Sequence, residues 1–504
     1  MTCINKLATA TLAAMFAVSL APASRAENQP ADKEAAQPAA ATQPAATAQP
    51  TSDQRLQELE KEVTLLQQEI AALKDQSAPG IKTAAYAEPG AAAGYTPNAA
   101  PAEDAPKINL AGLLGPVTLS GFGDAYYGYD NNHPYNNIAG LRSFEAPTNG
   151  FNFNMAELIL DKAPDAMTPD GRLGYHIAAG YGYAAKIVNG SDTTGFGDGS
   201  NFYLKEAYLS YLAPVGKGLT VTVGKFVTPM GAEVIESNAN WNYSRGILFN
   251  YAIPFFHFGA NAKYAFNSKF ALTGYLVNGW NNTVINHDSV FETSGFGQSS
   301  GLTYGASLAY TPNMKWSVTE NYFAGPVTDG FGFDGQTLND WKQISDTVIS
   351  FTPNSKWAFM VNGDYGFGPR YYSTNCDDLK VSNNPNPQGF VSCNPSPAVN
   401  WWGVAGYAKY TLSPKTNFAV RYEYYDDPQG YSGLTFGDRG WAQEVTGTYS
   451  YNLTSALLIR GEYRYDFASL PIFFQSFSSN NFEVKEQNTA TIGFVYSFSS
   501  ANAK

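Results

Sequence analysis

The stretch "ALLIRGEYRYDF" (456–467) puts Ile459, Gly461, Tyr463, Tyr465 and Phe467 on one face and Arg460, Glu462, Arg464 and Asp466 on the other. That is a period of two, the signature of a strand rather than a helix. "FAVRYEYYDD" repeats it, with Phe418, Val420, Tyr422 and Tyr424 opposing Arg421 and Glu423. "GLTYGASLAY" separates Leu302, Tyr304, Ala306, Leu308 and Tyr310 from Thr303, Gly305, Ser307 and Ala309. A chain so patterned must form sheets with one polar and one apolar face. In a soluble sandwich the charged face meets water and the apolar face forms the core. In a transmembrane barrel the apolar face meets lipid and the polar face lines the lumen. Alternation alone leaves both open.

The turns separate the two. "YTPNMKW" (310–316) recurs as "FTPNSKW" (351–357), and more loosely as "FNSKF" (266–270), "YTLSPKTNF" (410–418) and "YNLTSALL" from Tyr451. Successive copies lie 44, 41, 59 and 41 residues apart, room for two strands and one longer connection. Polar loops such as "NGWNNTVINHDSVFETSGFGQSSG" and "DDPQGYSGLTFGDRG" fill the intervals. Short turns alternating with long loops, with aromatic residues at strand ends, is the plan of an outer-membrane barrel. It predicts an all-β, antiparallel transmembrane barrel over 116–498. Strands are expected near 117–129, 150–162, 171–187, 201–213, 218–227, 255–266, 269–280, 301–311, 314–324, 342–352, 355–366, 399–411, 416–426, 439–451, 455–467 and 482–498. The count is 16, with 14 to 18 as the range, and an even number puts both termini on the short-turn side.

Composition agrees: 33 Tyr, 32 Phe and 47 Gly accompany only 15% charged residues. A net charge of −12 argues against a nucleic-acid partner. Residues 1–26 read as a signal peptide, with Lys6 in the basic region, Leu7 to Leu20 as the apolar core and Ser24-Arg25-Ala26 as the cleavage site. The apolar run is short for a membrane anchor. Residues 27–51 form an Ala/Pro/Gln tract expected to be disordered, and 77–115 a flexible Ala/Pro/Gly linker; 499–504 is a short tail. Cys376 and Cys393 survive cleavage and lie in one polar stretch. They are expected to form a disulfide in an oxidising compartment, with two free thiols as the alternative.

Between the two linkers, 52–76 is unlike the remainder. Leu56, Leu59, Val63, Leu66, Ile70 and Leu73 are spaced 3, 4, 3, 4, 3, a coiled-coil seam of three heptads. With both barrel termini on the short-turn side, this helix would be periplasmic. Arg55 and Glu60 flank the seam where they can pair between helices, which suits a homotrimer. Val63 and Ile70 at a with Leu at d also suit a dimer.

From Ser120 the chain resembles the outer-membrane β-barrel porin-2 family, the OmpL-like porins. The residues that carry the resemblance are "SGFGDAYYGYDNNHPYN", "LKEAYLSYLAPVGKGLTVTVGKFVTPMGAEVIESNANWNYSRGILFNYAIPFFHFG" and "LTGYLVNGWNN". It spans most of 117–498 and implies an outer-membrane barrel with pore activity. "TIGFVYSF" near the end, with Ile492, Phe494, Tyr496 and Phe498 on one face, resembles the aromatic-ended signal read by the barrel assembly machinery.

Candidate functional residues follow from the barrel plan. Arg421, Glu423, Glu444, Arg460, Glu462 and Arg464 share the lumen-facing parity on three consecutive strands. They are expected either to set ion selectivity or to pair across the wall. The 27-residue connection 228–254 carries Glu233, Glu236, Trp241, Tyr243 and Arg245. Loops this long are usually functional or disordered, and the aromatics argue for order. It is expected to fold into the barrel and narrow it, with an extracellular cap or subunit contact as the alternative. The four histidines, His133, His176, His257 and His287, are dispersed, and neither G-x-S-x-G nor H-E-x-x-H occurs. No catalytic group, cofactor or metal is assigned, and an enzyme is not expected. The function expected is passive diffusion of small hydrophilic solutes or ions. The alternatives, in order, are a structural tether reaching peptidoglycan or a partner through the coiled coil, an outer-membrane hydrolase, and a secreted adhesin or lectin.

Overall fold

The computed structural model describes residues 117–192, 200–285, 298–299, 301–331, 337–370, 398–434, 439–475 and 482–500. Sixteen strands run β1 (Thr118–Asp130), β2 (Gly150–Lys162), β3 (Leu173–Tyr181), β4 (Phe202–Ala213), β5 (Leu219–Val227), β6 (Phe256–Asn267), β7 (Phe270–Val277) and β8 (Thr303–Asn313). They continue as β9 (Trp316–Phe331), β10 (Thr337–Phe351), β11 (Trp357–Arg370), β12 (Ala398–Ser413), β13 (Thr416–Asp427), β14 (Gly440–Asn452), β15 (Leu457–Ala468) and β16 (Glu486–Ser499). Each pairs antiparallel with its sequence neighbours, and β16 returns to β1 with Tyr127 opposite Ile492. The sheet is therefore a closed barrel without a free edge, which satisfies every ladder group in lipid.

The repeated turn motif has a simple cause. Asn267, Asn313 and Asn354 each accept on Oδ1 the backbone N–H two residues on, from Lys269, Lys315 and Lys356 at 2.8 to 2.9 Å. In the variant copies Ser413 and Thr454 do the same by hydroxyl, for Lys415 and Ala456. A side-chain oxygen that mimics a backbone turn is why these residue types recur there.

Outward residues are large, apolar and exposed: Phe151 at 85%, Leu158 at 58% and Ile492 at 49%. Aromatic rows border this band. At the short-turn end Trp316 stacks on Phe351 at 4.2 Å, and Trp357 meets Tyr410 at 4.6 Å. At the other end Trp402 meets Tyr424 at 5.2 Å, and Trp441 meets Phe467 at 6.2 Å. An apolar band between two aromatic girdles is the surface of an outer-membrane barrel.

One expected element is corrected. The strand predicted over 171–187 ends at Tyr181; Gly182 takes φ 138°, and a helix, α1 (Tyr183–Gly190), follows. Ala184, Ala185 and Val188 lie on one helical face and are buried. The alternation does not extend past Tyr181, and only a glycine readily reverses the chain at that φ. The expected signal peptide over 1–26, tract over 27–51, coiled coil over 52–76, linker over 77–115 and disulfide between Cys376 and Cys393 lie outside the described residues.

Inward packing is tight around Trp401, whose indole Nε1 donates to Ala252 O at 3.1 Å. A Cβ on Gly366 would lie 1.9 Å from that ring. Gly366→Val is therefore expected to lower barrel stability by at least about 1–3 kcal/mol, the usual cost of overpacking. The urea midpoint of the folded, heat-modifiable band on electrophoresis measures it.

Candidate functional site: the inserted segment and the lumen

Between β5 and β6 the chain does not leave the barrel. Residues 228–255 pack on its inward side chains, with a short helix, α2 (Ile247–Tyr251), near the end. The entry is held by His257, whose Nδ1 contacts Gly279 O at 2.8 Å and whose Nε2 contacts the Thr228 hydroxyl at 3.2 Å. Farther on, Asp124 of β1 accepts from the Tyr243 hydroxyl at 2.6 Å and from the Ser237 hydroxyl at 2.7 Å. The exit is packed by aromatics: Phe144, Phe249 and Phe255 lie with ring centroids 5.3 to 5.6 Å apart. Phe144 belongs to the β1–β2 connection, so that connection also turns inward.

The six inward charges singled out on β13, β14 and β15 all face this segment, and all are nearly dry at 0 to 5% exposure. Arg421 donates to Glu233 and to Glu444, 2.5 Å each, and to Ser244 O at 2.6 Å. Glu462 accepts the backbone N–H of Tyr243 at 2.6 Å and of Ser244 at 3.1 Å. Arg460 donates to the carbonyls of Ser237 and Asn240, both 2.5 Å. Arg464 donates to Arg245 O and to Asp466, each 2.7 Å. Glu423 accepts the N–H of Ile247. Glu444 also lies 3.6 Å from Arg464, so cross-strand pairing and segment contacts share the same groups.

The five residues singled out on the segment have equally definite places. Glu233 meets Arg421, Glu236 meets Lys205, and Tyr243 meets Asp124. Trp241 packs edge-on to Tyr407 at 6.3 Å, with Lys409 Nζ 4.5 Å from its ring. Arg245 is fully buried and pairs with Glu145 of the β1–β2 connection. Burial pushes its guanidinium down to about 10, so it stays cationic at neutral pH. Burial pushes the Glu233 carboxyl up, opposed by the Arg421 charge.

A second charge cluster lies on β2–β4. There Lys205 contacts Glu157 at 2.7 Å and also Glu236, while His176 touches Asp161 at 2.8 Å and Glu206 at 3.4 Å. The Asp161 side chain is 40% exposed and that of Glu236 18%, against 0% for Arg421 and Glu444. Water thus reaches Asp161 and the segment edge at Glu236, while Glu157 and Lys205 are as dry as the charges on β13–β15. None of the β2–β4 charges was among the sequence candidates, nor were Asp124, Glu145 and Trp401. Inward parity with the alternating Phe122, Asp124 and Tyr126 was the one signal that could have found Asp124.

The family model described as "Putative beta-barrel porin-2, OmpL-like" matches residues 116–498. The chain belongs to this porin family. The match begins just before β1 and ends within the last strand. Solved structures give more distant likenesses. The outer membrane channel DcaP of Acinetobacter baumannii is 14% identical, with 76% of this chain and 97% of that one covered at a TM-score of 0.49. The anion-selective porin from Comamonas acidovorans is 12% identical, with 76% and 99% covered at a TM-score of 0.47. No curated protein matches this porin chain significantly.

Proposed function

We propose that this protein is a passive outer-membrane porin. Small hydrophilic solutes and ions move down their gradients through the water beside the 228–255 segment. The observation that carries the reading is the segment itself, held inside a closed barrel by Asp124, Arg421, Arg460 and Glu462. Seated there, the segment sets the width and charge of the path. The N-terminal heptads suit a periplasmic clasp for a homotrimer, which crosslinking of the full-length protein reads directly.

The purified protein in planar bilayers is expected to give stable unitary steps that vanish on denaturation. A silent barrel, or one that hydrolyses lipid or peptide, overturns the reading. In the cluster on β2–β4 four carboxylates, Glu157, Asp161, Glu206 and Glu236, face two basic groups, Lys205 and His176, and Asp161 and Glu236 are the ones most open to water. The combined change Asp161→Asn and Glu236→Gln is expected to move the reversal potential in a salt gradient toward anions. An unmoved potential would mean that ions do not pass these groups.

A further inference from the structure

Four consecutive short turns, β6–β7, β8–β9, β10–β11 and β12–β13, carry one lysine each: Lys269, Lys315, Lys356 and Lys415. Each lysine is tied down at both of its backbone groups. The N–H is the one capped by Asn267, Asn313, Asn354 or Ser413. The carbonyl accepts an N–H from the next hairpin: Thr311 for Lys269 at 2.7 Å, then Thr352, Thr411 and Asn452 for the other three at 2.8 Å. The backbone spacing of the lysines is therefore set by the barrel, and all four residues are exposed. Among the described residues their ammonium groups meet no acceptor, whereas Lys217 on the preceding hairpin donates to Phe266 O at 2.6 Å.

The surroundings of this arc are those of a lipid headgroup layer. Phe270, Trp316 and Trp357 directly follow their lysines and belong to the short-turn aromatic row. Girdle aromatics sit at headgroup level, so each ammonium lies just on the water side of one. Adjacent hairpins, two strands apart, place their turns about 10 Å from each other. That is about one Debye length at 0.1 M salt, so the four charges act on one surface together. No Asp or Glu occurs in 266–270, 311–316, 352–357 or 411–418, although the chain as a whole has a net charge of −12. A chain that anionic surfaces would otherwise repel thus turns a purely basic edge toward one.

We propose that this arc binds the phosphate headgroups of anionic phospholipids in the leaflet at the short-turn end. Lysines at a membrane surface are attracted to anionic lipid in roughly equal increments, so four together give a marked preference. A zwitterionic headgroup carries its own ammonium beside the phosphate and offsets that attraction. The inference stands apart from the channel reading, because binding is measured without conductance.

The test takes the full-length folded barrel in nonionic detergent, titrated with phosphatidylglycerol or with phosphatidylcholine. Lipid retained through gel filtration follows binding, and the temperature at which the heat-modifiable band is lost follows stability. Phosphatidylglycerol is expected to be retained several-fold better and to raise that temperature, with both effects fading as salt is added. The combined variant Lys269→Gln, Lys315→Gln, Lys356→Gln and Lys415→Gln keeps every backbone tie, so it is expected to fold and to lose the preference. Lys269→Arg, Lys315→Arg, Lys356→Arg and Lys415→Arg together are expected to keep it. Equal retention of the two lipids by the wild type overturns the proposal, as does a glutamine variant with its preference intact. Soluble glycerol phosphate that matched the temperature shift would assign the effect to free anions rather than to a leaflet, and would overturn it too.

Discussion

Arg421→Ala is expected to lower the stability of the folded barrel by about 3 to 5 kcal/mol, the cost of leaving a buried carboxylate without its partner. The guanidinium donates to Glu233 on the segment and to Glu444 on the neighbouring strand, and its removal strands both in a dry place. Arg464, 3.6 Å from Glu444, covers part of that loss but does not reach Glu233 in the same way. Arg421→Lys keeps the charge and loses the planar fork that serves two acceptors at once, so an intermediate loss is expected. Urea titration of the heat-modifiable band measures all three proteins. An Ala variant with the midpoint of the wild type would mean that water already reaches Glu233 and Glu444.

Removing residues 233–246 altogether is expected to raise unitary conductance severalfold and to admit larger polyethylene glycols, while destabilising the barrel less than Arg421→Ala does. The contrast follows from hydration. In the point variant the segment still keeps water from Glu444, whereas in the deletion Arg460, Glu462 and Asp124 lose their partners but regain solvent. Charged groups returned to water carry little desolvation cost. Conductance and size cutoff unchanged by the deletion would show that the segment does not bound the path.

The strand plan was legible because two independent local signals agree. Period-two alternation marks each wall, and a side-chain oxygen two residues before a lysine N–H marks many of the turns. Tyr310 to Trp316 and Phe351 to Trp357 carry both. The helix after Tyr181 was not legible. "YAAKIVNG" is short, and its apolar face is defined by what it packs against inside the barrel. The inward parity of Arg421, Arg460 and Glu462 was readable, but their partners were not. Glu462 meets an N–H 219 residues away and Arg421 a carboxylate 188 away. Pairings at that separation depend on how the closed sheet brings distant strands around one segment, which no local pattern encodes. The charges on β2–β4 were missed for the same reason, since Lys205 meets Glu157 48 residues away and Glu236 31 residues away.

The closure of β1 on β16 also dictates an order of events. The segment lies near the middle of the chain, yet contacts that help enclose it come from both extremes: Asp124 near the start, and Arg460 and Glu462 close to the end. Arg142 likewise reaches Thr489 on the final strand. The network that seats the segment is therefore complete only once the last strands are in place, so a variant that breaks it is expected to slow the maturation of the barrel.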